Sequence, residues 1–109
     1  MYEGYEGDER RRRRVFVTQN TEYHLFDKTC VVVRDMRSDT WVQNHPAVGS
    51  QLVGAFQVTT EGSWAANFDH PRTGEKLCFS SDVLTTPVID IRRPERQIVQ
   101  AHYPATYSC

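Results

Sequence analysis

The sequence predicts a single all-β domain, a small barrel or sandwich built as a meander of six to eight short strands. Three observations carry that prediction. Val, Ile and Thr together supply 25 of the 109 residues, against ten Ala and Leu. A second heavy atom on Cβ suits the pleat of a strand and crowds the turn of a helix. The apolar runs are short and separated by turn residues, and the length fits one domain with a real core but not two.

Residues 1–14 have no apolar periodicity and dense charge, and are expected to form a disordered charged arm before a β-domain at 15–109. Residues 15–17 read as a first strand and 23–26 as a second, with turns at Asn20-Thr21 and Asp27-Lys28. The run from Thr29 to Arg34 holds three successive valines and suits a strand covered on both faces. Residues 29–43 then read as a hairpin with a loop of four or five residues. The strand expected at 52–60 is interrupted by Gly54, the mark of a bulge. Further strands are expected at 64–68 and 76–79, and around Pro87, which lacks a ladder donor and points to an edge or a break. At the end, Pro94 opens either a short helix running to His102 and stopped by Pro104, or a last strand centred on residues 97–100. The helix is slightly favoured.

One internal echo stands out. Residues 44–52 align with 69–77, with His45/His70, Pro46/Pro71, Gly49/Gly74 and Leu52/Leu77 identical. Pro fixes φ early in a turn, and a Gly three residues later tolerates positive φ before the next strand. The pair reads as two similar strand-entry turns, with a duplicated binding loop as the sharper alternative.

The net charge of −1 hides an asymmetry. Residues 1–14 carry four acids and five consecutive arginines, Arg10 to Arg14, while the remainder carries ten acids and eight bases. The body is therefore not a broad cationic platform for nucleic acid. Three cysteines with no CxxC pair argue against a disulfide framework and for a reducing cytoplasm. Cys30 and Cys78 sit in apolar runs and read as small buried hydrophobes. No apolar run approaches the length of a membrane-spanning helix, so no membrane partner is expected.

Catalytic motifs are missing. There is no nucleophile elbow, P-loop, dinucleotide fingerprint or HExxH, and no cofactor is expected. A metal site assembled from His45, His70, Cys30 and Cys78 lacks the close ligand pairs that zinc sites use. Glu22 and His24 fall on one face of a strand, where they orient a general base or merely form an exposed polar alternation. Trp41 and Phe79 are assigned to the core, and Trp64, which follows a turn, to the surface.

The arginine run is the most distinctive feature, because guanidinium forks grip phosphate. Arg10 and Arg14, just before residues 15–17, resemble the RxxxR opening of PilZ domains, β-barrels that bind cyclic dinucleotides. The family's second motif, DxSxxG, is absent: Asp35 and Ser38 stand at the wrong spacing and no Gly follows. Cyclic-dinucleotide binding, which that resemblance implies, therefore stands only as a specific minor alternative. The sequence favours a non-enzymatic interaction or assembly module that binds protein, including its own copies, through an edge strand or the arm. Candidate partner-binding residues are Arg10, Arg11, Arg12, Arg13, Arg14, Tyr5 and Trp64. The alternative is nucleic-acid or nucleotide binding through the arginines, and a metal-dependent enzyme ranks last.

Overall fold

Alternation along β1 (Arg13–Val17) and β2 (Thr21–Phe26) organises the structure. Phe16, Tyr23 and Leu25 point to one side of their sheet, and Val15, Glu22 and His24 to the other. The structure is a computed structural model that describes residues 12–58, 60–68 and 70–107. After β2 the chain forms β3 (Thr29–Asp35), β4 (Thr40–Val42), β5 (Leu52–Val58), β6 (Trp64–Asn67), β7 (Lys76–Phe79), β8 (Leu84–Pro87) and β9 (Asp90–Arg92). A helix α1 (Arg96–His102) and a 3-10 turn (Ala105–Tyr107) follow. The domain is all-β as expected. It has nine described strands because the run around Pro87 divides between two sheets.

One sheet has the order β4-β3-β2-β1-β9 and the other β6-β5-β7-β8, all antiparallel. The second departs from a plain meander, since β7 returns to the far side of β5. The sheets meet at two corners. At the first, Cys30 N–H donates to the Ser50 carbonyl (2.9 Å) and Leu52 N–H to the Lys28 carbonyl (2.7 Å). At the second, Val88 N–H bonds the Glu75 carbonyl (2.9 Å) while Ile89 N–H bonds the Val17 carbonyl (2.7 Å), so one extended segment serves both sheets. Strands β3, β2, β1, β9/β8, β7 and β5 thereby close into a ring. Its lumen is filled by Phe16, Leu25, Cys30, Val33, Leu77 and Phe79, with Tyr23, Leu52 and Val88. β4 and β6 lie outside the ring.

The echoed turns close these corners. Gly49 has φ +86° and donates its N–H to the Cys30 carbonyl (2.7 Å); Gly74 has φ +90° and donates to the Val88 carbonyl (2.7 Å). Both glycines occupy the left-handed region that the pattern anticipated. The turns differ in one detail. His45 Nδ1 accepts from Ala47 N–H (3.0 Å), whereas Glu75 Oε1 accepts from Arg72 N–H (2.8 Å) and His70 Nδ1 is buried without a partner.

Other local expectations hold. β3 is covered on both faces because a bulge between His24 and Leu25 turns Val31 and Val32 together to the outer side, while Cys30 and Val33 face the lumen. β5 has its irregularity between Leu52 and Gly54. The helix that follows Pro94 ends at His102, and its Val99 and Tyr103 pack on Val31 and Val32.

Because nothing lies within 4 Å of where a methyl would stand at Gly49 or Gly74, replacing either costs backbone strain alone. Gly49→Ala and Gly74→Ala are each expected to destabilise the domain by about 1–2 kcal/mol. Urea unfolding with an unchanged m-value checks this; wild-type midpoints in both variants would contradict the corner assignment.

Candidate functional site

Two surfaces carry chemistry. The first is the outer side of the five-stranded sheet. Register places Trp41, Arg34 and Glu22 in one row and Val32, His24, Val15 and Arg92 in the next. Helix α1 covers part of the second row and leaves a cleft of about 380 Å³ beside Glu22 and His24. One wall is Arg34, Asp39 and Trp41; the other is Arg92, Arg93, Pro94, Glu95 and Ile98.

The cleft floor is a buried polar chain. Glu22 is 8% exposed and His24 2%. Glu22 Oε1 lies 3.1 Å from His24 Nε2, and His24 Nδ1 lies 2.8 Å from the Tyr103 hydroxyl. With Glu22 ionised, Nε2–H donates to the carboxylate, and Nδ1 of the neutral ring accepts from Tyr103 O–H; these partners assign the tautomer. Arg34 Nη1 donates to Glu22 Oε2 (3.0 Å), and Arg92 Nη1 stands 3.9 Å from the same oxygen. The hydrogen bond from His24 lowers the Glu22 pKa, reinforced by the charges of Arg34 and Arg92, against the opposing effect of burial. Burial raises the Tyr103 pKa. Trp41 sits over His24 (5.0 Å between centroids) and stacks on His102 (4.0 Å, 10° between planes).

The sequence paired Glu22 with His24, and the structure joins them by a hydrogen bond. They are not an exposed polar alternation, because α1 and Trp41 cover them. Nor does the imidazole have a nitrogen left for a substrate, since both are engaged within the chain. Tyr103, 79 positions from His24, had no signal in the sequence.

The second surface is the outer side of the four-stranded sheet. There Phe56 meets Trp64 (6.1 Å) and Phe68 (6.5 Å) in edge-on contacts. Phe68 lies against the backbone at Gly54, where an added Cβ would stand 2.9 Å from its Cδ1. Trp64 is 56% exposed, Phe68 61% and Leu84 52%. Trp64 is on the surface as expected, Phe79 is in the lumen, and Trp41 is half-buried beneath α1 rather than in the main core.

The remaining candidates are scattered. Tyr5, Arg10 and Arg11 lie outside the described residues, as does Cys109. Arg13 and Arg14 belong to β1, so the first strand reaches into the segment expected to be a disordered arm. Arg12 pairs with Asp27 (3.1 Å) and lies over Phe26; Arg13 donates to the Tyr107 carbonyl (3.2 Å); Arg14 donates to the Asp27 carbonyl (3.2 Å) and lies over Phe16. These three tie the β2–β3 turn and the C-terminal segment to β1. The four metal candidates are not brought together. Cys30 is in the lumen, where burial pushes its thiol up to about 12, whereas Cys78 is on the outer side of β7. His45 packs edge-on against Tyr23, and burial lowers its pKa. Among the described residues no three His, Cys, Asp or Glu side chains converge to hold a metal ion, and no helix is long and apolar enough to cross a membrane.

A carboxyl with a depressed pKa contributes stability that is fully present above its unfolded value, near 4.5, and is lost as pH falls through the lower folded value. Wild-type protein is therefore expected to lose stability on acidification below pH 4.5. Glu22→Gln should be less stable at pH 7 by about 1.5–3 kcal/mol, the worth of a charge-assisted hydrogen bond, and should flatten the acid limb. Thermal melts of both proteins across that range check it; parallel acid limbs would contradict it. No family model matches the chain, and no curated protein or solved structure matches it either.

Proposed function

We propose that the protein is a non-enzymatic assembly module that pairs with a second copy of itself through β6 and the aromatic surface beside it. The observation that carries this reading is the composition of one strand. Natural sheets guard their edges with charges, proline, short strands or a covering element. β4 has three residues and lies under α1 through Trp41 and His102. β8 ends in Pro87, and β9 holds Asp90 and Arg92. β6 reads Trp-Ala-Ala-Asn, with no charge and no proline, and no described element covers it.

Its surroundings point the same way. Trp64, Ala65 and Ala66 are all exposed, because β6 projects beyond the ring that buries its neighbours. An antiparallel pairing of β6 with itself about a two-fold axis is self-complementary. It would join two four-stranded sheets edge to edge and bring Trp64, Phe56 and Phe68 of both copies together. A net charge of −1 opposes such an encounter only weakly. The free thiols Cys30 and Cys78 support a reducing, cytoplasmic setting for this activity. Phosphate gripping by the arginine run has less support, since Arg12, Arg13 and Arg14 are engaged with Asp27, Tyr107 and the rings of Phe26 and Phe16.

Sedimentation velocity over a range of concentrations tests the reading. Wild-type protein is expected to shift from monomer to dimer, and Trp64→Lys, which places a charge on the unguarded edge, to remain monomeric with an unchanged melting temperature. Monomeric wild type at every concentration, or a Trp64→Lys dimer as tight as wild type, would contradict it.

A further inference from the structure

The cleft on the other sheet has a surplus of hydrogen-bond donors, and we propose that it binds a small organic oxyanion, a phosphate or carboxylate carried on a planar apolar body. This inference is independent of self-association through β6.

Most acceptors at the cleft are already committed. Glu22 accepts from His24 on one oxygen and from Arg34 on the other. Asp39 is taken by Arg34 Nε and Nη2 (3.0 and 2.7 Å), and Asp90 by Arg92 Nε (2.7 Å). Arg92 thus forms one hydrogen bond, and its Nη1 stands 3.9 Å from Glu22, too far for a good one. Arg93 makes no hydrogen bond or ion pair among the described residues. A guanidinium carries about five N–H donors in a fixed fork. Arg92 and Arg93 both line the cleft, most of their donors are not engaged by other described residues, and Glu95 is the one lining carboxylate that accepts from no arginine.

Planar forks of this kind match the two oxygens of a carboxylate or phosphate. The remaining lining supplies the rest of the ligand's description. Trp41, Ile98, Val15 and Pro94 form apolar walls. The volume of about 380 Å³ is within the range of small-ligand sites. The saturated floor at Glu22 and His24 can be covered by an apolar group without stranding a buried polar atom.

The test is a 1H–15N NMR titration of the full chain with four probes: phenyl phosphate, benzoate, inorganic phosphate and phenol. Phenyl phosphate or benzoate is expected to saturate with a dissociation constant below ~1 mM. The shifts should centre on the Trp41 indole and the Arg92 and Arg93 amides, and the tighter probe names the head group. Inorganic phosphate should bind about tenfold more weakly, and phenol should not saturate. Arg93→Gln alters an exposed side chain and is expected to weaken the tighter probe by about tenfold while leaving the remaining spectrum in place. Absence of saturation by both aromatic anions, equal binding of phenol, or indifference to Arg93→Gln would overturn the proposal.

Discussion

Two backbone hydrogen bonds decide the shape of this domain. The amides of Gly49 and Gly74 reach the carbonyls of Cys30 and Val88 at the two corners where the sheets meet. Each requires a chain reversal through positive φ, and each is preceded by a proline that fixes the approach. Once both corners are pinned, six strand positions form a ring and the lumen can be packed with Phe16, Leu25, Leu77 and Phe79. A ring has no edges within it, so the edge problem passes to the strands left outside.

Those two outer strands are treated differently. β4 is covered: Trp41 stacks on His102, and the helix bearing His102 is anchored through Tyr103 to His24 and Glu22. Such a buried polar chain is favourable only when every member is satisfied. Here Arg34 completes it from the rim by a hydrogen bond to Glu22, and Arg92 adds only its nearby charge. The same covering creates the cleft, because α1 roofs only part of the sheet. β6 has no charge and no proline, and no described element roofs it. Phe56 lies edge-on to Trp64 and to Phe68, and both of those rings stay exposed.

The strands were legible because their signals are local. Three valines in β3, the loop between β3 and β4, and the interruption at Gly54 all follow from neighbours in sequence. The His-Pro and Gly pattern revealed two like turns, but not that they pin opposite corners, since Cys30 and Val88 are named by nothing near Gly49 or Gly74. Glu22 and His24 were visible as a pair two apart, while their burial depended on a helix some 75 residues later. The arginine run misled for a related reason. Composition marks Arg13 and Arg14 as part of a charged arm, but Phe16, Phe26 and the Tyr107 carbonyl give them partners in the fold. Trp64 was read correctly because a residue just after a turn, in a strand of small residues, has little to bury it.

Ring closure leaves β6 as the one described edge strand with no charge, no proline and no described cover, and its proposed occupant is a second copy. Amide hydrogen exchange at low and high protein concentration tests this most directly, because it reads each strand separately. The amides of β6 are expected to gain protection as concentration rises, while those of α1 and the two corners stay equally protected throughout. Exchange in β6 that is independent of concentration, or protection gained instead at β4 or β9, would contradict it.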